Sequence, residues 1–392
     1  EEVAEMEEVV VNGYFTRKKE SFTGVSKTFS GDELKTISTG NILNTLSVLD
    51  PSFTKVVNNE MGSDPNTIPD FEIRGSSSLK AEYENNPNMP TFIMDGFEVT
   101  AQKVFDLDPN RVRYITILKD ASATAVYGTR GANGVVVVTT KRGKAGKLHV
   151  NFKTNATYSY SPRMPEYADA YQYATLANEA RSVRGDDPVY SATELELFKT
   201  GLDPDLYPNV NWRDVILKDH VINNQHHLSI SGGGQSARYY MSLGILNSEA
   251  LFKQDKSASK HDVNVNYHKY NFRTNIDADL TKTTLLSLNL EAVIKTQNAP
   301  GTGSSNKYLW ESQANLPPTV VPVRYSNGQL PAYGTNLEDK SPYVRLNYMG
   351  YTTNETYSTK INVGLSQDLG IITDGLSVRG LFSFSMNGAH IV

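Results

Sequence analysis

Two features common in proteins are missing from this sequence, namely cysteine and any long hydrophobic run. Without cysteine, the chain of 392 residues has no disulfide framework, no thiolate zinc site and no cysteine nucleophile. No apolar run approaches the roughly 20 residues that a membrane-spanning helix requires. A large excess of one sign of charge is also missing, because 38 Lys and Arg nearly balance 43 Asp and Glu. This balance indicates no nucleic-acid partner.

Tyrosine is abundant instead, with 22 copies beside 14 phenylalanines. Low hydropathy alone would class the chain as soluble, but membrane β-strands give a much weaker hydropathy signal per segment than membrane helices. The aromatic content therefore keeps a membrane β-barrel among the candidates. In a barrel, Tyr158, Tyr160 and Tyr239 would belong to the aromatic girdle at the membrane interface.

Residues 15–146 have the pattern of a compact α+β domain. Apolar residues recur at helical spacing from Ile42 to Leu49, and Asp50-Pro51 would end that helix. FEIRG and PTFIMDGFEV are predicted short strands, the second bent at Asp95-Gly96. The continuous valine run after Gly134 predicts a buried strand.

The stretch YGTRGANGVVVVTTKRG holds glycines at three-residue spacing, Gly128, Gly131 and Gly134. This spacing differs from the G-x-G-x-x-G of a dinucleotide site, and no Gly-Lys-Ser/Thr follows as in a P-loop. The valine strand follows the glycines, whereas a phosphate-binding loop follows its strand and opens a helix. The glycines are therefore interpreted as sites of tight turns and close backbone approach, and no nucleotide site is predicted.

From Lys147 onward the sequence changes to long, strict alternation of apolar and polar residues. In KLHVNFKTNATYSY, for example, one face carries Leu148, Val150 and Phe152. About seven such strands of about ten residues or more follow one another, and this is the length of tilted membrane-spanning strands. A soluble β-sandwich would alternate in the same way, so alternation alone leaves both architectures open.

The connections between these strands favour the membrane protein. Long inserts at about 161–219, 249–267 and 295–354 alternate with short links, as external loops and periplasmic turns do in outer-membrane barrels. The predicted fold is an antiparallel membrane β-barrel at 147–392, preceded by the α+β domain. A wide, plugged barrel has about 22 strands and only about 7 are found here. We therefore expect the chain to be the N-terminal portion of a longer protein.

Four segments together resemble the SusC/RagA branch of the TonB-dependent outer-membrane transporters of Bacteroidetes. They are MEEVVVNGY, FEIRGSSSL, PTFIMDGFEV and DPNRVRYITILKDASATAVYGTRGANGVVVVTTKRG, of which the last is the most specific. The resemblance implies a TonB box and linker at 1–14, a plug domain at 15–146 and the first barrel strands at 147–392. It places the protein in the cell outer membrane, surrounded by lipid.

The resemblance also implies site residues in the N-terminal part. A segment that looks like a TonB box is formed by Glu7, Glu8, Val9, Val10, Val11 and Asn12. Such a β-prone segment is able to add as a strand to a partner's sheet edge, although a frayed terminus or a first plug strand would have the same sequence. We interpret a second set as plug packing positions: Arg74, Gly75, Asp95, Gly96, Gly128, Arg130, Gly131 and Gly134. Arg130 is expected to pair with a barrel-wall carboxylate such as Asp277 or Asp279.

The long inserts carry their own signals. YADAYQYATLANEAR and SATELELFKTG are predicted helices within the first insert. Trp212 and Trp310 also lie in inserts. There an aromatic ring either contacts a ligand or lid, or packs the loop, and the sequence leaves both roles open.

Taken with the resemblance, the function expected is active import of an oligomeric nutrient, a glycan or a peptide, across the outer membrane. The implied partners are a SusD-like surface lipoprotein and the TonB–ExbB–ExbD system, and the family further suggests a dimer of transporter–lid units. Two other hypotheses are a partial barrel held as a client by assembly or secretion machinery, and a soluble β-rich enzyme or adhesin.

Nothing in the sequence indicates catalysis, so we predict no enzyme activity, no cofactor and no metal. There is no Ser/His/Asp constellation with sequence support. His226 and His227 are adjacent in a predicted strand, where neighbouring side chains point to opposite faces and cannot chelate one ion.

Overall fold

The computed structural model describes residues 9–11, 16–18, 24–37, 42–56, 69–73, 75, 88–105, 107–161, 165–259, 261–301, 307–335 and 339–392. The strands in this part of the chain are β1 (Val9–Val11), β2 (Thr16–Lys18), β3 (Ser26–Ser30), β4 (Phe53–Val56), β5 (Asp70–Ile73), β6 (Thr91–Met94), β7 (Phe97–Val99), β8 (Val112–Leu118), β9 (Val135–Thr140), β10 (Gly146–Tyr160), β11 (His220–Gly233), β12 (Ala237–Glu249), β13 (Asn266–Asp279), β14 (Thr284–Pro300), β15 (Ala332–Tyr333), β16 (Asp339–Lys340), β17 (Tyr351–Asp368) and β18 (Ser377–Ile391). The α-helices are α1 (Gly31–Ile37), α2 (Ile42–Leu49), α3 (Ala101–Phe105), α4 (Ala121–Thr124), α5 (Ala170–Ser182), α6 (Ala192–Thr200), α7 (Trp212–Ile216), α8 (Lys307–Asn315) and α9 (Pro342–Tyr348).

The N-terminal domain, residues 24–140, is built on a sheet in the order β3-β8-β9-β6-β7. β6 and β9 run parallel, and the other neighbouring pairs run antiparallel. Helices α1 and α2 cover one face, where Ile42, Leu43 and Leu46 are fully buried. A small second sheet pairs β4 with β5. The helix predicted from the apolar spacing is confirmed as α2.

The valine run forms β9 in the middle of this sheet, and the prediction of a buried strand is confirmed. Val136 and Val138 join the main core. Val135 and Val137 face the opposite side of the sheet and pack with Leu118 in a second cluster. Because both faces of β9 are covered, its sequence is continuously apolar rather than alternating.

The wall sheet contains the seven long strands, in the order β10-β11-β12-β13-β14-β17-β18. All neighbours are antiparallel and follow one another along the chain. The strands are 13 to 18 residues long, well above the about five or six residues usual in soluble sheets. The predicted fold class, an antiparallel barrel wall with an α+β domain in front of it, is confirmed.

The two faces of the wall sheet are inverted relative to a soluble protein. On the outer face, Leu148, Val150 and Phe152 are each more than 60% exposed. On the inner face, Asn271, Arg273 and Asn275 are at most 4% exposed, because the N-terminal domain packs against them. Apolar residues facing outward and polar residues facing inward are the arrangement of a membrane barrel.

The long connections all leave the same end of the wall sheet. In the first, α5 and α6 begin with capping boxes at Asp169 and Ser191, and Gly201 ends α6 in the left-handed conformation. Both helices were predicted from sequence. Helices α7, α8 and α9, from the first and third connections, pack around one apolar cluster. No helix among the described residues is long and apolar enough to cross a membrane.

Two glycines permit close backbone approaches. Gly134 has φ +85°, and a Cβ there would lie 2.8 Å from Ile73 Cδ1 and 3.1 Å from the Leu118 oxygen. At Gly143, where the chain passes from the N-terminal domain into the wall, a Cβ would lie 2.4 Å from the Tyr239 nitrogen. A larger residue at Gly143 would force the backbone apart, and one at Gly134 would displace the Ile73 side chain and crowd the Leu118 oxygen.

We predict that Gly134→Ala destabilises the N-terminal domain by about 1–3 kcal/mol, through its positive φ and its contact with Ile73. Hydrogen exchange of the β9 amides should accelerate by roughly 10- to 100-fold. Gly75→Ala is the matched control, since Gly75 has φ +86° and none of the residues that the structure describes has an atom within 4 Å of an added Cβ. It should accelerate exchange less. Equal effects of the two substitutions would show that the contact at Gly134 contributes nothing.

Candidate functional site

The inner face of the wall sheet meets the N-terminal domain through buried and half-buried charged groups, which we call the interface network. From the wall come Arg273, Glu291, Asp277 and His227, and from the N-terminal domain and the segment after it come Asp95, Asp108, Lys103, Arg111 and Arg142. Each side supplies both signs of charge, and each charge lies opposite a group of the other sign. The two surfaces therefore match only in this alignment.

Asp95 joins the N-terminal domain to the wall at Arg273. It lies in the two-residue β6–β7 turn, where Asp95 and Gly96 have φ +51° and +90°. Positive φ at both central residues is the type I′ hairpin that Asp-Gly favours. The turn directs the carboxylate at Arg273, whose Nη2 donates to Asp95 and to Thr140. Both charged side chains are at most 5% exposed.

The Asp95 carboxylate is held ionised by its surroundings. Burial acts to raise its pKa, but the guanidinium groups of Arg273 and Arg142 and the hydrogen bonds from Thr140 together outweigh that effect. Hydrogen bonds from Thr140, 2.9 Å from the backbone nitrogen and 2.6 Å from the hydroxyl, act in the same direction. The pKa of Asp95 is therefore lowered, and the pair remains charged at neutral pH.

Arg111 is the second buried cation, and it comes from the N-terminal domain. Its Nη1 donates to Asn271 Oδ1 at 2.9 Å, and its Nη2 lies 3.3 Å from Glu291 Oε1. Lys103 Nζ lies 2.8 Å from the other oxygen of Glu291. A 3-10 helix at Pro109–Arg111, capped by Asp108, fixes the position of Arg111. Glu291 thus receives two cations from the domain it faces.

Three further contacts extend the interface network along the sheet. Asp108 Oδ2 lies 2.7 Å from His227 Nδ1, and both side chains are almost fully buried. Arg142 Nη1 donates to Asp277 Oδ1 at 3.0 Å, and Asn275 Nδ2 donates to the Lys141 oxygen at 2.8 Å. His226 points to the other face and contacts Thr154, as predicted for adjacent histidines in a strand.

Buried ion pairs such as these are weak sources of net stability. Desolvation of both charges offsets much of their attraction, whereas removal of one partner leaves a buried charge without compensation. The interface network therefore fixes one docking arrangement of the N-terminal domain. Water would be able to solvate each of these groups if they were exposed, so the contact is polar rather than apolar.

The predicted packing residues lie within the N-terminal domain, apart from the interface contact of Asp95. Gly75, Gly96, Gly128 and Gly134 have positive φ. Gly131 is buried, and a Cβ there would lie 2.7 Å from Thr124 Cβ. Arg74 lies outside the described residues.

The predicted pairing of Arg130 with the wall is wrong. Arg130 pairs with Glu98 of β7, and its side chain is 71% exposed. Asp277 pairs with Arg142, and Asp279 pairs with Arg238 at the turn end of β12. The glycine-rich segment turns Arg130 away from the interface, while Arg142, after β9, lies where the chain approaches the wall.

In the N-terminal segment, Val9, Val10 and Val11 form β1, which pairs antiparallel with β2. Glu7, Glu8 and Asn12 lie outside the described residues. The predicted TonB-box segment therefore includes one strand of a short hairpin, in which Val10 is opposite Arg17.

The two tryptophans contact other residues of the long connections. Trp212 is 2% exposed in the apolar cluster of α7, α8 and α9. Trp310 is partly buried against the same cluster. In this structure Trp212 packs the loop, which is one of the two roles that the sequence leaves open. Among the described residues, no group of three or more His, Asp or Glu side chains could hold a metal ion.

Sequence reasoning missed Arg111, Arg273 and Glu291, which are the centre of the interface network. For two of these residues the sequence pattern indicates an inward-facing position. Arg273 and Glu291 occupy the polar positions of strands whose other face is apolar, and those positions face inward in a barrel. The sequence around Arg111 carries no such pattern, because the burial of Arg111 depends on docking between the N-terminal domain and the wall.

Comparison with known proteins agrees with this architecture. The family model for the TonB-dependent receptor plug domain matches residues 18–135. TonB-dependent receptor P26 of Formosa agariphila is 29% identical over 284 residues, covering 70% of this chain and 25% of the relative. TonB-dependent receptor SusC of Bacteroides thetaiotaomicron is 30% identical over 257 residues, covering 63% of this chain and 23% of the relative. The chain thus spans about a quarter of the length of these curated relatives.

Among solved structures, the RagAB peptide importer in its open-open state superposes with a TM-score of 0.75 at 20% identity. The superposition covers 98% of this chain and 43% of that chain. At this identity the likeness shows the fold alone. The named relatives are receptors and transporters rather than enzymes, in agreement with the prediction that the chain carries no catalytic activity.

We predict that Arg273→Ala loosens the N-terminal domain by up to about 3–5 kcal/mol, since the buried Asp95 loses its ion-pair partner and keeps only the hydrogen bonds from Thr140 and the more distant charge of Arg142. Hydrogen exchange of the amides in β6 and β9 measures this opening. Arg238→Ala is the matched control, because its pair with Asp279 is partly exposed and should contribute little. The effects of Arg273→Ala and Asp95→Ala should be less than additive in the double variant. If Arg273→Ala behaves like Arg238→Ala, the pair does not hold the domain on the wall.

Proposed function

We propose that this chain, which belongs to the SusC/RagA-type TonB-dependent receptors, carries the gate and part of the wall of an energised outer-membrane importer. The wall strands would cross the outer membrane, and the N-terminal domain would act as the plug that closes the lumen. The cargo is an oligomeric nutrient, either a glycan or a peptide.

The observation that carries this proposal is the inverted polarity of the wall sheet together with what covers its inner face. An apolar outer face has a favourable environment in lipid, and a polar inner face has one in a water-filled or protein-filled lumen. Here the inner face is covered by a folded domain held through charged groups. A channel filled in this way is closed until the filling domain moves.

The motor connection would lie in the N-terminal segment Glu7 to Asn12. A three-residue strand such as β1 is held by few main-chain hydrogen bonds, and it is therefore able to leave β2 and add to the sheet edge of a partner. TonB is the partner expected, driven by ExbB–ExbD and the inner-membrane proton gradient. Tension on β1 would reach the plug through the segment between Lys18 and β3.

The partner proposed on the external side is a SusD-like lipoprotein that captures cargo and closes over the long connections. Support comes from the similarity to SusC and to the RagAB peptide importer. Helices α5 to α9 project from that end of the wall and offer a folded surface for a lid. Association of two transporter–lid units into a dimer belongs to the same proposal.

Val10→Pro should abolish energised uptake, because proline has no N–H to donate to the sheet edge of a partner. The measurement is uptake of labelled cargo by cells that carry the full-length transporter, with cargo binding assayed on the purified protein. Binding should be unchanged.

The control for this experiment is Val10→Thr, which keeps the backbone donor and a β-branched side chain. It should transport like the natural protein. Undiminished uptake by Val10→Pro, at equal amounts in the outer membrane, would contradict the assignment of this segment as the motor contact.

A further inference from the structure

A polar cavity of about 510 Å³ lies at the end of the wall sheet from which the long connections leave. Two of its lining residues, Glu249 and Asn266, are cross-strand neighbours at the ends of β12 and β13. Asn266 is an odd number of residues from Arg273, whose side chain faces the N-terminal domain, so Asn266 and its neighbour Glu249 stand on the outer face of the sheet. The cavity is therefore outside the barrel wall and not in the lumen.

The outer face of the wall changes from apolar to polar just below this cavity. Along β12 the outward positions are apolar up to Ile245 and polar at Asn247 and Glu249. The cross-strand neighbour of Ile245 is Tyr270, an exposed tyrosine of the kind that forms the aromatic girdle of membrane barrels. At about 3.4 Å per residue and a tilt of about 40°, Glu249 stands about 30 Å above Ala237, whereas the apolar band of a barrel is about 25 Å tall. The cavity therefore lies at the depth of the lipid headgroups.

The charges in the lining leave two cations available to a ligand. Three lysines and two carboxylates line the cavity, namely Lys218, Lys253, Lys256, Glu249 and Asp262. Lys218 Nζ lies 2.9 Å from Glu249 Oε2, so these two charges balance. The Asp262 carboxylate accepts hydrogen bonds from its own segment, at 3.0 and 2.6 Å. Among the residues that the structure describes, neither Lys253 nor Lys256 has an ion-pair partner.

Asn266 contributes a buried hydrogen-bond acceptor to the lining. Its side chain is 4% exposed, and Nδ2 donates to Asp262, but Oδ1 accepts no hydrogen bond from any residue that the structure describes. A buried amide oxygen without a donor costs about 1–3 kcal/mol, so a ligand with a hydroxyl or amide donor is favoured here. Gln254 and Ser259 add further amide and hydroxyl groups. The lining thus combines cations with the short polar side chains that suit a sugar.

The walls of the cavity are held together by contacts between different connections. Lys218 and Lys253 each donate a backbone hydrogen bond to the other's connection, at 2.6 and 2.7 Å. The His261 ring, also in the lining, stacks on Tyr351 of β17 with centroids 4.6 Å apart. The site is therefore largely formed before a ligand arrives, which lowers the cost of binding.

We propose that this cavity binds the phosphorylated sugar headgroup of a glycolipid in the outer leaflet of the membrane. Its phosphate would contact Lys253 and Lys256, as basic pockets beside a membrane do with lipid headgroups, and a sugar hydroxyl would donate to Asn266 Oδ1. The volume is within the about 300–1,000 Å³ of small-molecule sites and exceeds what a single phosphate ion fills. The inference rests on the proposed position of the wall in the outer membrane and involves neither cargo nor TonB.

The test is a titration of the purified full-length transporter in detergent, followed by native mass spectrometry. The probes are diphosphoryl lipid A, its dephosphorylated form, phosphatidylglycerol and inorganic phosphate. Diphosphoryl lipid A should bind about tenfold or more tightly than each of the other three. Equal binding of the dephosphorylated form would exclude the phosphate contact, and equal binding of phosphatidylglycerol would exclude recognition of the sugar. Equally tight binding of inorganic phosphate would indicate a site for a soluble anion, and each of these three results contradicts the proposal.

The double variant Lys253→Gln/Lys256→Gln should weaken binding of diphosphoryl lipid A about tenfold or more. Its charge-matched control is Lys147→Gln combined with Lys282→Gln, both exposed and at the opposite end of the wall, and it should bind like the natural protein. Unchanged affinity in the folded double variant would overturn the proposal. Membrane fractionation separates this result from the proposed function, because a transporter that resides in the outer membrane and does not bind lipid A contradicts the lipid site alone.

Discussion

The buried pair between Arg273 and Asp95 is the contact on which the rest of this structure depends. It joins a hairpin turn of the plug to the middle of a wall strand, in a region from which water is excluded. Arg111 and Glu291 repeat the arrangement with the charges exchanged between the two sides. Since a buried charge without its partner costs several kcal/mol, these pairs favour one docking position of the plug on the wall. A shifted position would separate both pairs at once.

The same pairs are compatible with the proposed movement of the plug away from this docking position. An apolar interface of equal area would resist separation, because opening would expose hydrocarbon to water. A charged interface exchanges each protein contact for hydration when it opens, so its cost of opening is lower once water enters. In the proposed function, the polar inner face of the wall would serve two purposes, since it would fix the closed state and line the path that remains after opening.

Much of this architecture was predictable from sequence, because it depends on local pattern. Helix α2, the buried valine strand β9, the Asp95-Gly96 turn and the alternating wall strands all follow from spacing and turn chemistry. The interface network did not follow, because it pairs residues such as Arg111 and Glu291 that are 180 positions apart. The error at Arg130 has the same cause. A conspicuous arginine in a glycine-rich segment was assigned to the wall, whereas Arg142, twelve residues later, reaches Asp277.

The central claim is that the plug must separate from the wall during transport, and a reversible covalent lock tests it most directly. The chain contains no cysteine, so cysteines introduced at Asp108 in the plug and His227 in the wall, whose side chains lie 2.7 Å apart, have no other thiol in this part of the protein to pair with. Energised uptake should stop when the pair is oxidised and return when it is reduced, with cargo binding unchanged in both states. Full uptake by the oxidised, cross-linked protein would contradict the account.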